Sequence, residues 1–74
     1  MPEYRFDGSQ LRAVREDRRL NEGQLAARIN RSQPLIALWE LGYRIPPIAK
    51  VVEIAAVLDV DVKDFFVVAD EVAS

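Results

Sequence analysis

From Asn21 to Arg44 the chain reads NEGQLAARINRSQPLIALWELGYR, and the punctuation of that stretch leaves room for little besides two short helices across a tight turn. Asn21 is placed to cap a first helix, with Gln24 reaching back to close a capping box. Leu25, Ala26 and Ile29 give that helix one apolar face. Asn30 falls where the chain must reverse, and asparagine tolerates the left-handed backbone better than most residues. Ser32 is then placed to cap a second helix, Ile36 and Trp39 supply its buried face, and Gly42 stops it.

The rest of the chain reads as three further helices. Asp7 and Gln10 offer a capping box for the first, from about Gly8 to Arg19, with Leu11, Val14 and the stem of Arg18 on its inner side. Pro46 and Pro47 break the chain and suit the start of a helix over Ile48 to Leu58, where Ile48, Val51, Val52, Ile54, Ala55 and Leu58 form one wide apolar face. Asp59 takes the next turn, and Asp61 caps a short fifth helix ending at Phe65 or Phe66. The tail VVADEVAS reads as a frayed end or a partner strand. No strand is assigned elsewhere, and no repeat or interdomain linker is visible.

With 74 residues the chain makes one domain, and a domain this small buries only about 60% of its unfolded surface. It has no cysteine and no histidine, which removes zinc sites and most nucleophilic dyads and triads. Serine occurs only at Ser9, Ser32 and Ser74, with no general base arranged beside any of them, so an enzyme is not expected and no catalytic residue, metal or cofactor is assigned. No apolar run is long enough to span a bilayer, and no secretory leader is apparent; a cytoplasmic protein of a bacterium or phage-infected cell is the expectation. Net charge is −2, but it is unevenly spread. Residues 1–44 hold eight arginines against six carboxylates, a net of +2, and residues 45–74 hold two lysines against six carboxylates, a net of −4. A basic front and an acidic back would orient the domain on a polyanion.

Two short helices across a turn of three or four residues make the helix-turn-helix unit, whose second helix lies in the DNA major groove. The ordered set Leu11, Arg15, Gln24-Leu25-Ala26, Ser32-Gln33, Ile36, Trp39-Glu40, Gly42 and Arg44 resembles the Cro/repressor (XRE-type) helix-turn-helix family. Pro46, Val51, Ile54-Ala55, Leu58, Val60 and Asp64-Phe65-Phe66 extend the likeness, so that it covers about Ser9 to Phe66. The resemblance implies an all-α, compact five-helix, lambda-repressor-like DNA-binding domain with the helix-turn-helix at its second and third helices. One domain would cover residues 1–74, with its core at 9–66 and a tail at 67–74.

The resemblance also assigns roles. Its base-reading positions fall on Gln33, Pro34, Leu35, Ala37 and Leu38. Gln33 is the clear reader, since its amide pairs bidentately with adenine N6 and N7, while Pro34 and Leu35 suit thymine methyls. The family is usually more polar here, so methyl contacts and DNA shape would carry more of the readout. Asn21, Arg28, Arg31, Ser32, Tyr43 and Arg44 are the candidate phosphate contacts. Glu22 departs from the glutamine common in the family, and a carboxylate beside phosphate is unfavourable. Arg15 and Glu40 match a pair that the family joins by a salt bridge. Phe66, Val67 and Val68 are read as a two-fold dimer interface, with a fold-back over the chain's own core as the alternative.

These assignments imply a repressor resembling small stand-alone Cro-type phage proteins, binding a palindromic operator as a homodimer. Its two reading helices would lie about 34–36 Å apart. The rival is a protein-interaction module on the same scaffold, an antirepressor or antitoxin-like partner, favoured by the apolar Leu35–Leu38 stripe, Glu22 and the net charge. Neither reading has a membrane or small-molecule ligand.

Overall fold

The helices begin and end where local chemistry stops them. A computed structural model describes residues 3–69. Strand β1 (Tyr4–Phe6) leads into α1 (Gly8–Asp17), followed by α2 (Glu22–Arg28), α3 (Gln33–Leu41), α4 (Ile48–Leu58), a single 3-10 turn (Val62–Phe65) and strand β2 (Phe66–Val68). The Asn21–Gln24 capping box forms in full at the start of α2. Gly42, in the left-handed conformation at φ 85°, ends α3, and Asn30 and Asp59 take the same conformation at φ 58° and 59°. Asp61 caps the 3-10 turn by accepting from the Lys63 amide.

Four expectations are corrected. Among the described residues there are four α-helices rather than five, because the last one closes after a single 3-10 turn and the chain then extends. The described residues also contain a two-stranded antiparallel sheet, in which Val67 and Val68 follow the strand alternative for the tail and Tyr4–Phe6 is the unexpected partner, with Tyr4 opposite Val68, Arg5 opposite Val67 and Phe6 opposite Phe66. Ser32 stands at the N-cap of α3 with its hydroxyl in no capping bond. Proline at 34 removes one amide that the hydroxyl would accept from, and the Leu35 amide goes to the Ser32 carbonyl instead. Asp7 caps α1 through Ser9, but the reciprocal arm to Gln10 is missing, since the Asp7 N–H donates to the Phe65 carbonyl at 2.7 Å. Residues 70–74 of the tail lie outside the described residues.

Leu11, Leu25, Ala26, Ile29, Ile36, Trp39, Val51, Ile54, Ala55, Leu58 and Phe65 form one buried core fed by every α-helix and the 3-10 turn. Trp39 is buried in that core and is unavailable for stacking on a base or a partner. Phe6 covers one end, edge-on to Phe66 with ring centroids 6.0 Å apart. Two cations tie helix ends to neighbouring elements. Arg18 donates from Nε to the Leu58 carbonyl at 2.7 Å, and Lys50 donates to the Ile29 carbonyl at 3.2 Å, so each satisfies a carbonyl at a helix C-terminus. Gly8 is buried where α1 crosses α3, and a Cβ there would collide with the Trp39 carbonyl and stand 2.5 Å from that of Glu40.

Because the obstacle at Gly8 is backbone, it cannot rotate away. Gly8→Ala is expected to destabilise the domain by about 2–3 kcal/mol, lowering Tm by roughly 10 °C or more. Gly23→Ala in α2, whose new Cβ would meet only Asn21 Oδ1 at 3.4 Å, is expected to be neutral or stabilising by up to about 1 kcal/mol. Thermal unfolding followed by circular dichroism distinguishes the two.

Candidate nucleic-acid interface

Helix α3 is fixed from behind before it can present anything in front. Its inner side carries Ile36, Trp39 and Glu40, all buried. Arg15 of α1 meets Glu40 with two parallel bonds, Nε to Oε2 at 2.6 Å and Nη2 to Oε1 at 3.0 Å. A third donor, Nη1, reaches the Leu20 carbonyl at 2.8 Å and so ties the α1–α2 turn into the same fixture. Burial pushes the Glu40 carboxyl above the usual carboxylate range against the pull of Arg15, and the neighbouring Glu22 carboxylate pushes the same way.

The outer side of α3 follows from its period. Pro34 and Leu41 are exposed, Ala37 and Leu38 are half-buried, and their spacing places the four on one face. Gln33 is exposed at the helix start. Leu35 departs from its expected place in the groove: it is half-buried and packs against the core, because its position turns it toward the edge of the buried face. Leu41, 65% exposed, belongs to the outer face and was absent from the assigned readers, although its spacing from Pro34 and Leu38 would have revealed it.

The candidate phosphate contacts fall at three places around α3. Asn21 lies at the start of α2, exposed, with its side-chain oxygen engaged by the Gln24 amide. Arg28 ends α2 and Arg31 sits in the turn, where it donates to the Asn30 carbonyl; both are exposed. Ser32 is exposed with no capping duty, and Tyr43 and Arg44 are exposed just beyond Gly42. Among the described residues Arg28, Arg31 and Arg44 make no ion pair, whereas Arg12, Arg15, Arg18 and Lys50 do. The cations flanking the turn and the end of α3 therefore need no carboxylate displaced before meeting an anion.

One contact had no sequence signal at all. Gln33 Nε2 donates to Glu22 Oε1 at 2.6 Å, joining the first turn of α2 to the first turn of α3 across eleven positions. Phe66, Val67 and Val68, assigned to a dimer interface, lie half-buried in β2, with their backbone paired to β1 of the same chain. Phe66 also lines a shallow apolar groove with Tyr4, Ile45 and Ile48. No helix among the described residues is long and apolar enough to cross a membrane.

A helix-turn-helix family model matches residues 11–65, a span running from the core of α1 to the 3-10 turn. No curated protein matches the sequence significantly.

The fixture behind α3 makes a specific demand. Arg15→Ala or Glu40→Ala is expected to cost about 3–5 kcal/mol, because each leaves a buried charge without its partner. The double variant Arg15→Met with Glu40→Leu is expected to lose less than either single change. Urea unfolding of the three proteins against the parent is the measurement.

Proposed function

Because the chain belongs to the XRE-type helix-turn-helix family of DNA-binding transcription regulators, we propose that it is a Cro-like repressor binding a palindromic operator as a homodimer. The observation that carries this reading is α3 itself. Its inner side is locked by Arg15–Glu40 and the core, while Gln33 and the face of Pro34, Ala37, Leu38 and Leu41 remain outward. Gln33 supplies hydrogen-bonded readout, and the apolar face supplies contacts to thymine methyls. Asn21, Arg28, Arg31, Ser32, Tyr43 and Arg44 hold the sugar–phosphate backbone and fix the register.

One such helix reads only a few base pairs, and a second copy related by a two-fold axis doubles the contacts. Support for pairing comes from the side of the molecule where the sheet lies. Among the described residues the sheet has two strands, each with an outer edge that no other described strand pairs, and the groove beside Phe66 is bordered by Tyr4, Ile45 and Ile48, which are 64%, 74% and 64% exposed. Phe66, Val67 and Val68 would contribute there. The protein works, on this reading, by occupying a promoter in the cytoplasm of a bacterium or an infected cell.

The apolar outer face of α3 and the net charge of −2 favour a second reading, an interaction module that docks α3 on another protein. Chromatography on heparin separates the two: a DNA binder is retained at low salt and elutes as salt rises, and a pure protein partner flows through.

Selection of bound duplexes from a random pool is expected to return palindromes with half-sites one helical turn apart. Within the selected site, Gln33→Ala is expected to cost about 1–3 kcal/mol at one base pair per half-site and to relax choice there. Arg44→Ala is expected to weaken all sequences alike and to reduce the salt slope by about 1 per subunit. Unchanged binding in both variants would refute the assignment.

A further inference from the structure

We propose that Glu22 sets which base Gln33 accepts, by consuming one of the two N–H donors of its amide. The inference rests on the reading of Gln33 as a base reader. A glutamine amide holds two N–H donors on Nε2 and one acceptor oxygen, and an ionised carboxylate only accepts. With Nε2 donating to Glu22 Oε1 at 2.6 Å, the amide cannot turn over without setting its oxygen against the carboxylate. What remains for DNA is one N–H and one oxygen.

That remainder matches one purine and not the other. In the major groove adenine offers an acceptor at N7 and a donor at N6, whereas guanine offers acceptors at N7 and O6. A free glutamine can swing both N–H groups toward guanine. A glutamine that has already given one N–H to Glu22 can satisfy only one of the two acceptors and presents its oxygen to the other. Adenine takes the remaining donor and acceptor together.

Glu22 is suited to this positioning role by its own surroundings. It is half-buried in the first turn of α2, where the helix dipole favours a negative charge. It also lies near the buried Glu40 carboxyl, which it helps to push above the usual carboxylate range. The same negative charge repels nearby phosphates. Glu22 therefore lowers affinity for all DNA while sharpening the choice between adenine and guanine, and removing it moves these two quantities in opposite directions.

The test uses the full chain, its Glu22→Gln and Glu22→Ala variants, and the selected duplex with A·T or G·C at the base pair whose preference is lost in Gln33→Ala. The parent is expected to prefer adenine by about tenfold or more, equivalent to about 1.4 kcal/mol. Both variants are expected to bind the adenine duplex at least as tightly; the preference falls to within about threefold in Glu22→Ala and to an intermediate value in Glu22→Gln, whose carbonyl oxygen still accepts from Nε2 but whose amide can turn over. Gln33→Ala in the Glu22→Ala background is expected to change the preference no further. A second measurement reads the free protein: the Gln33 side-chain proton donated to Glu22 is expected to lie downfield of its ordinary position in the NMR spectrum of the parent and to return toward that position in Glu22→Ala. An adenine preference unchanged in both folded variants, or unchanged amide shifts, overturns the role of Glu22 while leaving DNA reading intact. Selection that returns no preferred duplex, with Gln33→Ala indistinguishable from the parent on any DNA, overturns the reading of α3 and the role of Glu22 with it.

Discussion

The contact between α1 and α3 governs everything in front of it. Two helices can bring their backbones this close only where a side chain is missing, and Gly8 supplies that gap against the Trp39 and Glu40 carbonyls. Seven positions along α1, Arg15 then reaches Glu40 with the Nε and Nη2 edge of its guanidinium. The first contact sets the distance between the helices and the second sets the rotation of α3 about its axis. A bidentate pair is directional in a way that apolar packing is not. Ile36 and Trp39 provide the hydrophobic driving force for burying α3, but a helix held by packing alone could rotate or slide by a fraction of a turn. A reading face needs its angle fixed, and the ion pair fixes it.

The charge of the molecule is divided by the same logic. Of the cations near the ends of helices, Arg15, Arg18 and Lys50 are committed to carbonyls and carboxylates inside the fold. Arg28, Arg31 and Arg44 are left on the surface around the turn and the end of α3. Net charge says little about a chain in which some cations are tied into the fold and others stand exposed around the turn and the end of α3. A total of −2 is compatible with a locally basic face.

Features written in neighbouring residues were legible in the sequence. The Asn21–Gln24 box, the glycine stop at 42, the left-handed Asn30 and the limits of α4 each depend on a few consecutive side chains, and each is where the pattern put it. The buried Trp39 followed from its spacing with Ile36. Features decided across the chain were not legible. Strands of three residues carry no alternation to detect, and the bond that joins the Asp7 amide to Phe65 displaces a local cap for a distant one. Leu35 lies at the core edge because one step along the helix from Pro34 turns a residue by about 100°, and Leu41, seven positions from Pro34, returns to the outer face without having been assigned to it. The Glu22–Gln33 bond belongs to neither class of pattern, since it needs the turn to be folded before its two ends meet.

The sheet has a kinetic meaning as well as a spatial one. Its pairing, continued by the Ala69 amide on the Glu3 carbonyl at 2.8 Å, closes a loop of more than sixty residues, while the helices close turns of four. The entropy of so long a closure must be met by three short backbone pairs and the Phe6–Phe66 edge contact. The strands are therefore expected to zip last during folding and to peel first at equilibrium, giving their amides faster hydrogen exchange than those of α1 and α3. Peeling β1 would strip Phe6 from the core and release the Asp7 amide, so a clasp formed by distant parts of the chain holds the start of the helix on which the reading face leans.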